Sequence, residues 1–515
     1  MSKKNTFNPG AHQGLLKGIN TLGDAVGLTL GAHGRTVLYR HDNAPNSIPQ
    51  STKDGVTVAK HITSEDPLEQ MGIDIVRDAA RKTAAKAGDG TTTSTVLAQA
   101  ILNQAVNREG SQRDYIRGME AARDRIIEVL DNASTPVTDK LIDYVATIST
   151  NNDDTLGGII SDAFKQVGEF GHVWYEPNPV GTDTFSKIEH GASIPSGTMD
   201  PGFINNAKTN TVQQNEPYVF ISTGKIDTVR QMEPILEEVV KNKRPLTIIA
   251  DVDPQVGAVL MANRKKHGHQ FNLVTPPYHG LFRRDCLEDL CKLTGATLHG
   301  SHLGDAANTI TVDLLGTCDF LESGPGDTVI RIKDRKDLSE EVDAITDLIE
   351  KETNESRKND LKRRRATLSG GVAVITVGAA SDGEMFEKLD RVDDAIHAVS
   401  AARLEGVLPG GGVALRDASY AVLPHPGDDD YVQGFNALIQ AIFAPYYKIL
   451  ENADLKDPAS LKTGWGINVL TGKKVDMMKE GIIDPTLATK EALKNAVSVS
   501  KTILSTGLVI DEAYE

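Results

Sequence analysis

The segment AGDGTTTSTVLAQAIL spans residues 87–102 and places the acidic residue Asp89 between two glycines. Three threonines follow at once, and the apolar residues after them recur at helical spacing. Upstream, Asp66 and Pro67 form the pattern of a helix N-cap followed by a proline in the first turn. The sequence therefore predicts two helices joined by a tight turn, with the threonines at the N-terminus of the second helix.

This turn has the features of a phosphate site. Backbone N–H groups at a helix start, three hydroxyl groups and the positive end of a helix dipole all favour a bound phosphate. The carboxylate of Asp89 is of the kind that holds Mg²⁺ against phosphate oxygens. A helix–helix turn without a ligand is the better interpretation of GDG alone, but GDGTTT with a helix on each side favours a nucleotide site. The GxxxxGK[ST] motif of the usual phosphate-binding loop does not occur.

Composition narrows the class of protein. A length of 515 residues suggests about three domains. The 71 acidic and 55 basic residues give a net charge of −16, which argues against a general nucleic-acid binder. The three cysteines form no CxxC motif, no apolar run reaches the roughly 18 residues of a membrane span, and the N-terminal segment lacks a signal-peptide core. We expect a soluble, cytoplasmic protein without nucleic-acid or membrane partners.

The GDGTTT segment resembles the nucleotide loop of the group I chaperonins, the GroEL family, and the resemblance covers nearly the whole chain. It implies a multidomain α+β protein with the chaperonin fold: a mainly α-helical equatorial domain, a small α/β intermediate domain and an α/β apical domain. In chain order the implied segments are equatorial 1–136, intermediate 137–190, apical 191–372, intermediate 373–404 and equatorial 405–515. Apolar runs at residues 218–223 and 246–251, alternating with a helical pattern at 229–242, also predict an α/β fold for the apical segment.

The resemblance also implies a function. Chaperonins are ATP-driven machines that enclose and refold non-native proteins in an oligomeric ring, with hydrolysis coupled to apical-domain movement. The implied cofactors are ATP, Mg²⁺ and K⁺. The implied partners are unfolded protein clients and further copies of this chain in seven-subunit rings, single or double. The alternative is a ring-forming scaffold or passive binder of unfolded proteins. Such a protein needs no carboxylates to orient water, so the presence of Asp54, Asp89 and Asp394 together favours the ATPase.

Several segments match the family's nucleotide site. TLGAHGRTV, residues 29–37, is similar to a segment that packs on the nucleotide, with Ala32 and His33 in place of the usual proline and lysine. In KDGVTVAK, residues 53–60, the alternation after Asp-Gly predicts a turn followed by a strand. The implied cofactor-binding residues are Thr29, Leu30, Gly31, Ala32, Lys53, Asp89, Gly90, Thr91, Thr92, Thr93, Gly411, Asn468 and Asp484. Of these, the implied metal ligands are Asp89 for Mg²⁺, and Thr29, Lys53 and Thr92 for K⁺.

The catalytic residues that the resemblance implies are Asp394 and Asp54. RVDDAIHA, residues 391–398, matches the family pattern RVEDALHA, which makes Asp394 the candidate base. Consecutive acids on a helix otherwise indicate only a solvated face. Asp54 is implied to face the γ-phosphate, and Asp484 to accept hydrogen bonds from the ribose hydroxyls. Because Asp394 belongs to the intermediate segment, closure of hinged domains would complete the site only after nucleotide binds.

The implied client groove is more polar here than in the family. Carried over by position, its lining is Thr198, Asp200, Gly202, Phe203, Glu233, Leu236, Gly257, Met261 and Ala262. Phe203, Leu236 and Met261 keep apolar contacts for clients, so we expect a weaker or more selective groove. The co-chaperonin that docks on this face in the family is therefore a doubtful partner.

Assembly is the other point of divergence. Tyr447 and Lys456 stand where the family pairs an arginine with a glutamate between two rings. They cannot form that ion pair, so we expect single rings to be populated in at least one nucleotide state. Divergence of this kind suits a specialised or virus-encoded chaperonin.

Overall fold

The computed structural model describes residues 3–40, 49–106, 110–168, 171–178, 181–206, 209–300, 310–332, 337–369, 371–458 and 461–512. Its helices are α1 (Gly10–Gly27), α2 (Gly55–His61), α3 (Pro67–Ala87), α4 (Thr91–Ala105), α5 (Gln112–Ala133), α6 (Asp139–Ser149), α7 (Asp154–Val167), α8 (Glu233–Asn242), α9 (Pro254–His267), α10 (Gly280–Thr294), α11 (Ser339–Lys351), α12 (Glu355–Ser369), α13 (Asp382–Glu405), α14 (Val413–Ala421), α15 (Asp430–Ala441), α16 (Ala444–Asn452), α17 (Met477–Glu480) and α18 (Thr486–Ser505). Its strands are β1 (Lys3–Phe7), β2 (Val37–Tyr39), β3 (Gln50–Thr52), β4 (His172–Pro177), β5 (Phe185–Ile194), β6 (Val212–Asn215), β7 (Tyr218–Ile226), β8 (Leu246–Val252), β9 (Phe271–Val274), β10 (Gly316–Thr317), β11 (Phe320–Ser323), β12 (Thr328–Arg331), β13 (Gly371–Val377), β14 (Val407–Pro409), β15 (Trp465–Asn468), β16 (Lys473–Asp476), β17 (Ile483–Pro485) and β18 (Leu508–Glu512). Within these ranges, no helix is long and apolar enough to cross a membrane.

The chain divides into two units. The first unit comprises residues 1–161, 177–184 and 377–515, and the second comprises residues 162–176 and 185–376. Helices α6 and α13, from the two segments predicted as the intermediate domain, lie in the first unit, whereas strand β5 lies in the second. The division into equatorial, intermediate and apical domains stays a prediction.

The core of the first unit is built chiefly from helices α1, α3, α4, α5, α15 and α18. On α1, the side chains of Leu15, Ile19, Leu22 and Val26 recur at helical spacing and are all buried. Burying such a side chain contributes roughly 1.5–3 kcal/mol relative to leaving it in water. The helices are therefore fixed by a buried apolar core, and the turns at their ends have defined positions.

The predicted helix–turn–helix around Asp89 is confirmed. Asp66 caps α3 by accepting hydrogen bonds from two backbone N–H groups, and Pro67 is the first helical residue. Gly88 ends α3 and Gly90 precedes α4, with φ angles of 68° and 85°. These left-handed angles carry no steric cost only in glycine, and they produce the tight turn.

The prediction of a strand within residues 53–60 is wrong. Residues Gly55–His61 form helix α2, and the preceding strand β3 ends at Thr52. Asp54 caps this helix, because its carboxylate accepts hydrogen bonds from the N–H groups of Val56 and Thr57 at 3.0 and 2.7 Å. The cap satisfies N–H groups that would otherwise lack a partner, which outweighs a short alternation of apolar and polar residues.

The described residues of the second unit form two β-sheets. In the smaller sheet β7, β8 and β9 are parallel and β10 is antiparallel to β7, while the larger sheet has the order β4-β13-β5-β12-β11-β6. The strands predicted at residues 218–223 and 246–251 are confirmed as β7 and β8. The helix predicted at residues 229–242 is a 3₁₀ turn followed by α8. The α/β fold predicted for this region is therefore confirmed.

Candidate nucleotide site

The turn between α3 and α4 presents Asp89 beside an open helix N-terminus. The Asp89 carboxylate accepts a hydrogen bond from the Gly90 N–H group and stays accessible to solvent. Helix α4 begins at Thr91 without a side-chain cap. The N–H groups of its first turn thus have no intrahelical acceptor, and its dipole presents a positive end. With Thr92 and Thr93 half-buried at the same end, this is an arrangement that phosphate favours.

Asp54 lies at the same end of α4. A Cβ at the neighbouring Gly55 would come within 2.1 Å of Thr92 Oγ1, so the backbone of this loop touches α4 directly. Both oxygens of Asp54 are engaged by the first turn of α2, which fixes the orientation of the carboxylate. This capping role was not predicted from the sequence, although an acidic residue ahead of an apolar segment is a recognised helix-start signal.

Asp394 joins this group from α13. Burial raises the pKa of its carboxyl well above the ordinary value of 3.8, and the negative charges of Asp54, Asp89, Asp393 and Asp390 raise it further. Charges shift one another's pKa in this way when they are close together. The geometry agrees, because a Cβ at Gly88 would lie 1.8 Å from the Cβ of His397, one helical turn after Asp394. Asp54, Asp89 and Asp394, which the sequence predicts for metal binding and catalysis, therefore lie in one region of the first unit.

The site as a whole is strongly electronegative. Burial by the protein around the turn raises the pKa of Asp89. The hydrogen bond from the Gly90 N–H group lowers this pKa, and the negative charge of Asp54 raises it. The Asp89 side chain is nevertheless exposed to solvent. Burial, followed by the charge of Asp89, raises the pKa of Asp484 to about 7. Carboxylates in such a cluster are returned to their ionised form by a bound cation.

Two further segments bring candidate residues towards this region. Strands β14 and β17 are paired, and the N–H groups of Gly411 and Gly412 donate to the Asp484 carboxylate. The implied ribose acceptor thus already holds two backbone donors. Asn468 ends β15, where its side chain accepts a hydrogen bond from an N–H group of its own hairpin at 3.1 Å. Met477 packs between this hairpin and Gly411.

The segment after α1 is anchored by Asn452, which the sequence analysis did not identify. Asn452 Nδ2 donates to the carbonyl oxygens of Leu30 and of the last residue of α1, both at 2.9 Å. Gly31 then adopts a left-handed φ of 84°, and Ala32 is exposed. Thr29 is buried, and its hydroxyl donates to a carbonyl of α1 at 2.8 Å. An asparagine on α16 gives no sequence signal of so distant a contact.

The metal assignments stay predictions. Among the described residues, no group of three or more His, Cys, Asp or Glu side chains is arranged to hold a metal ion. Mg²⁺ is commonly held by one or two carboxylates together with phosphate oxygens, so Asp89 fits a metal that arrives with a nucleotide. For K⁺, Thr92 contacts Gly55, two residues after Lys53, whereas the Thr29 hydroxyl already donates to the Val26 carbonyl of α1.

Helices α8 and α9 of the second unit border a groove. A cavity of about 720 Å³ is lined by Val229, Arg230, Glu233, Leu236, Glu237, Val240 and Lys241. A neighbouring cavity of about 340 Å³ is lined by Val229, Leu236, Val240, Leu260, Asn263, His267, His269 and Phe271. Leu236 lies in both cavities, and Met261 is half-buried against Gly202. We call this surface the α8–α9 groove.

Phe203 requires a correction. Only 1% of its surface is exposed, and it belongs to the hydrophobic core beneath α8 and α9. Its ring is therefore a structural element of the second unit and not an exposed client contact in this conformation. A large aromatic side chain is among the most favourable to bury, and this accounts for its position.

Comparison with known proteins identifies the family. The family model described as the TCP-1/cpn60 chaperonin family matches residues 22–228 and 224–513. Among solved structures, the chain is similar to the chaperonin gp146 from the bacteriophage EL 2 (Pseudomonas aeruginosa) in presence of ATP-BeFx. Crystal form II is 21% identical with a TM-score of 0.74, crystal form I is 20% identical with a TM-score of 0.66, and each match covers 99% of both chains. The fold is thus that of a chaperonin, and the chain belongs to the TCP-1/cpn60 chaperonin family.

Proposed function

We propose that this chaperonin subunit hydrolyses ATP and uses the reaction to enclose and refold non-native proteins. The observation that carries the proposal is the convergence of Asp54, Asp89 and Asp394 at the N-terminus of α4, where their charges act on one another. A phosphate-binding helix end beside such carboxylates supports phosphoryl transfer. The similar phage chaperonin was crystallised in the presence of ATP-BeFx, which supports placing a nucleotide in this site.

Each group has a distinct part in the proposed reaction. The N–H groups in the first turn of α4 donate hydrogen bonds to phosphate oxygens. The hydroxyls of Thr92 and Thr93 do the same. Asp89 would hold a Mg²⁺ ion, which would supply positive charge to neutralise those oxygens. Asp394 takes a proton from the attacking water, and its raised pKa makes it a stronger base than an ordinary aspartate. Asp54, held by its cap on α2, orients the water and adds to the local negative charge.

The proposed client surface is the α8–α9 groove. Leu236 and Val240 supply apolar contacts inside the groove, and 49% of Val240 is exposed. Met261, on α9, lines neither cavity and is proposed as a client contact from the family resemblance. Charged side chains, among them Glu233 and Lys241, line the same groove and limit its apolar area. We therefore propose selective capture of clients with short apolar segments, and a co-chaperonin that needs a broad apolar face stays a doubtful partner.

Ring assembly is supported by open sheet edges in the first unit. Strands β1 and β18 form one two-stranded sheet, and β2 and β3 form another. Such sheets are marginal alone, and their edges offer backbone groups to another chain. Phe7, Leu38 and Ile510 expose 65%, 71% and 53% of their surface on these strands. We propose pairing between copies there, while the number seven and the choice of single or double rings rest on the family resemblance.

Phosphate release from ATP by the purified full chain tests the proposal. Turnover that needs Mg²⁺ and stops with EDTA is the expected result. In Asp54→Asn the side-chain oxygen can still accept a hydrogen bond from one of the two N–H groups at the start of α2, but the side chain carries no charge. Loss of turnover with only a small change in melting temperature would therefore tie the activity to this site. A chain that captures denatured protein but releases no phosphate would instead support the passive binder or scaffold.

A further inference from the structure

Gly88 has a second role besides ending a helix. It ends α3 with a φ of 68°, and its N–H group donates to the Ala84 carbonyl at 2.7 Å. A Cβ at Gly88 would lie 1.8 Å from His397 Cβ, 2.5 Å from its Cγ and 3.1 Å from its Cα. Gly268 and Gly295 end α9 and α10 with similar angles, yet a Cβ there would meet no atom within 4 Å. Gly88 is therefore required for a close approach as well as for its backbone angle.

The approach of α13 to this turn is supported by small side chains. One buried cluster joins the end of α3, helix α13 and the start of α18. Its members are Ala87, Ala401, Leu487 and Ala488. The atoms of His397 that meet Gly88 include its Cα and Cβ, which a change of rotamer does not move. The His397 ring is also held, because Nδ1 lies 2.9 Å from the carbonyl oxygen of Asp393 and 3.2 Å from its carboxylate.

We infer that Gly88 and His397 are positioning residues whose contact sets how closely α13 approaches the Asp89 turn, and therefore where the Asp394 carboxylate lies. The inference rests on the proposed ATPase function. Asp89 directly follows Gly88, and Asp394 lies one helical turn before His397. The position of the proposed base, Asp394, relative to Asp89 therefore depends on the contact between Gly88 and His397. This contact does not involve the phosphate-binding end of α4.

A side chain at Gly88 would force α13 outward. Carbon atoms pack at about 3.5–4.0 Å, so relief of a 1.8 Å contact requires a displacement of roughly 2 Å. A misplacement of about 1 Å can cost on the order of 10²-fold in rate. The first turn of α4 does not move in this account, so the affinity for nucleotide is retained. A loss of kcat without a loss of affinity is the expected signature.

The test compares wild type, Gly88→Ala, His397→Gly and the double variant as full chains. Phosphate release gives kcat, and titration with a fluorescent ATP analogue in Mg²⁺ gives the affinity. We expect Gly88→Ala to lower kcat about 10²-fold while its affinity stays within about threefold of wild type. In the His397→Gly background the same substitution should change kcat by less than about threefold, because the Cβ and the ring are removed and only the milder 3.1 Å contact with the Cα remains.

Two further variants separate the contact from other effects. Gly295→Ala introduces the same left-handed strain where a Cβ meets nothing, and should leave turnover unchanged. Ala401→Leu places a larger side chain of α13 in the buried cluster and so pushes α13 outward without altering the backbone of Gly88. It should reproduce the loss of kcat even where Gly88→Ala does not fold.

Three results would overturn the inference: unchanged kcat in Gly88→Ala or Ala401→Leu, the same loss in the His397→Gly background, or a parallel loss of affinity. A wild-type chain that releases no phosphate overturns the proposed function instead, before any variant is compared.

Discussion

The backbone of Gly55 lies against the side chain of Thr92, so closely that a Cβ at Gly55 would come within 2.1 Å of Thr92 Oγ1. This contact joins the loop that carries Asp54 to the first turn of α4. It places a carboxylate with a fixed orientation beside the helix end that receives phosphate in the proposed reaction. The position of Asp54 therefore depends on the absence of a side chain at the next residue.

We expect Gly55→Ala to lower ATP turnover at least about tenfold, because the added methyl group displaces Asp54 from α4. Helix α2 should persist, since alanine favours a helix over glycine by roughly 1 kcal/mol. The matched control is Gly158→Ala in α7, where a Cβ meets no atom within 4 Å. Steady-state phosphate release and thermal melting of both variants decide the matter. Equal turnover in the two would contradict the coupling.

Asp89→Ala should abolish the Mg²⁺-dependent part of nucleotide binding. The reason is that Asp89 is the carboxylate at the turn before α4, with one side open to solvent. Asp89→Asn keeps an oxygen that can accept the Gly90 hydrogen bond but carries no charge, so it separates turn geometry from metal binding. Titration with a fluorescent ATP analogue, in Mg²⁺ and in EDTA, measures both parts. If Asp89→Ala binds MgATP as tightly as wild type, the metal assignment is wrong.

Glu322 gives the second unit a dependence on pH. It is 3% exposed on β11, and burial raises its pKa from 4.5 to about 7 against hydrogen bonds from Thr211 and Gln213. The folded state therefore binds this proton more tightly than the unfolded chain. As a result, the contribution of Glu322 to the free energy of unfolding is greatest below pH 4.5 and declines as the pH rises to about 7.

We expect Glu322→Gln to remove this decline, so that the variant gains stability relative to wild type as the pH rises. Urea midpoints at about pH 5 and pH 8 test the sign. Trp174 lies beside Phe320 of β11, with ring centroids 6.1 Å apart and the rings tilted by 51°, and reports on this unit alone once Trp465 is replaced by Phe. Glu340→Gln, an exposed glutamate of the same unit, is the control. Parallel pH profiles for wild type and Glu322→Gln would refute the prediction.

The α8–α9 groove leads to a prediction about capture. Leu236→Ser should weaken binding of denatured proteins roughly fivefold to tenfold, because an apolar anchor of about 1–1.4 kcal/mol is lost. Met261→Ser should weaken it in the same direction. Leu281→Ser, which removes an apolar side chain that is 80% exposed on α10, serves as the control. Pull-down of several denatured clients compares them, and capture that ignores Leu236→Ser and Met261→Ser would exclude this groove.

The extent to which the sequence predicts this structure follows from how local each signal is. The turn around Asp89 is predictable because the cap at Asp66, the proline after it, the glycines and the apolar period all lie within one short segment. Helix α2 is not predicted, since its alternating pattern and its cap at Asp54 favour different structures and only the cap is realised. Phe203 shows a second limit, because a match by position does not tell which way a side chain points.

The rest of the site depends on contacts between distant segments. The raised pKa of Asp394 arises from burial and from carboxylates on α2 and the α3–α4 turn, which no local pattern brings together. The contact of Gly88 with His397 is equally invisible, because GDG is compatible with a simple turn. A family match can name such residues, but the distances that explain their roles appear only in the fold.

Recovery of a denatured client enzyme shows whether this chaperonin subunit refolds proteins by hydrolysing ATP, with wild type compared against Asp394→Ala in the presence of ATP and Mg²⁺. We predict ATP-dependent recovery with wild type. Asp394→Ala should bind ATP and capture client but restore little activity, because loss of an acid–base group slows hydrolysis by about 10²–10⁴-fold. Equal recovery with both proteins, or recovery by wild type that does not need ATP, would contradict the account.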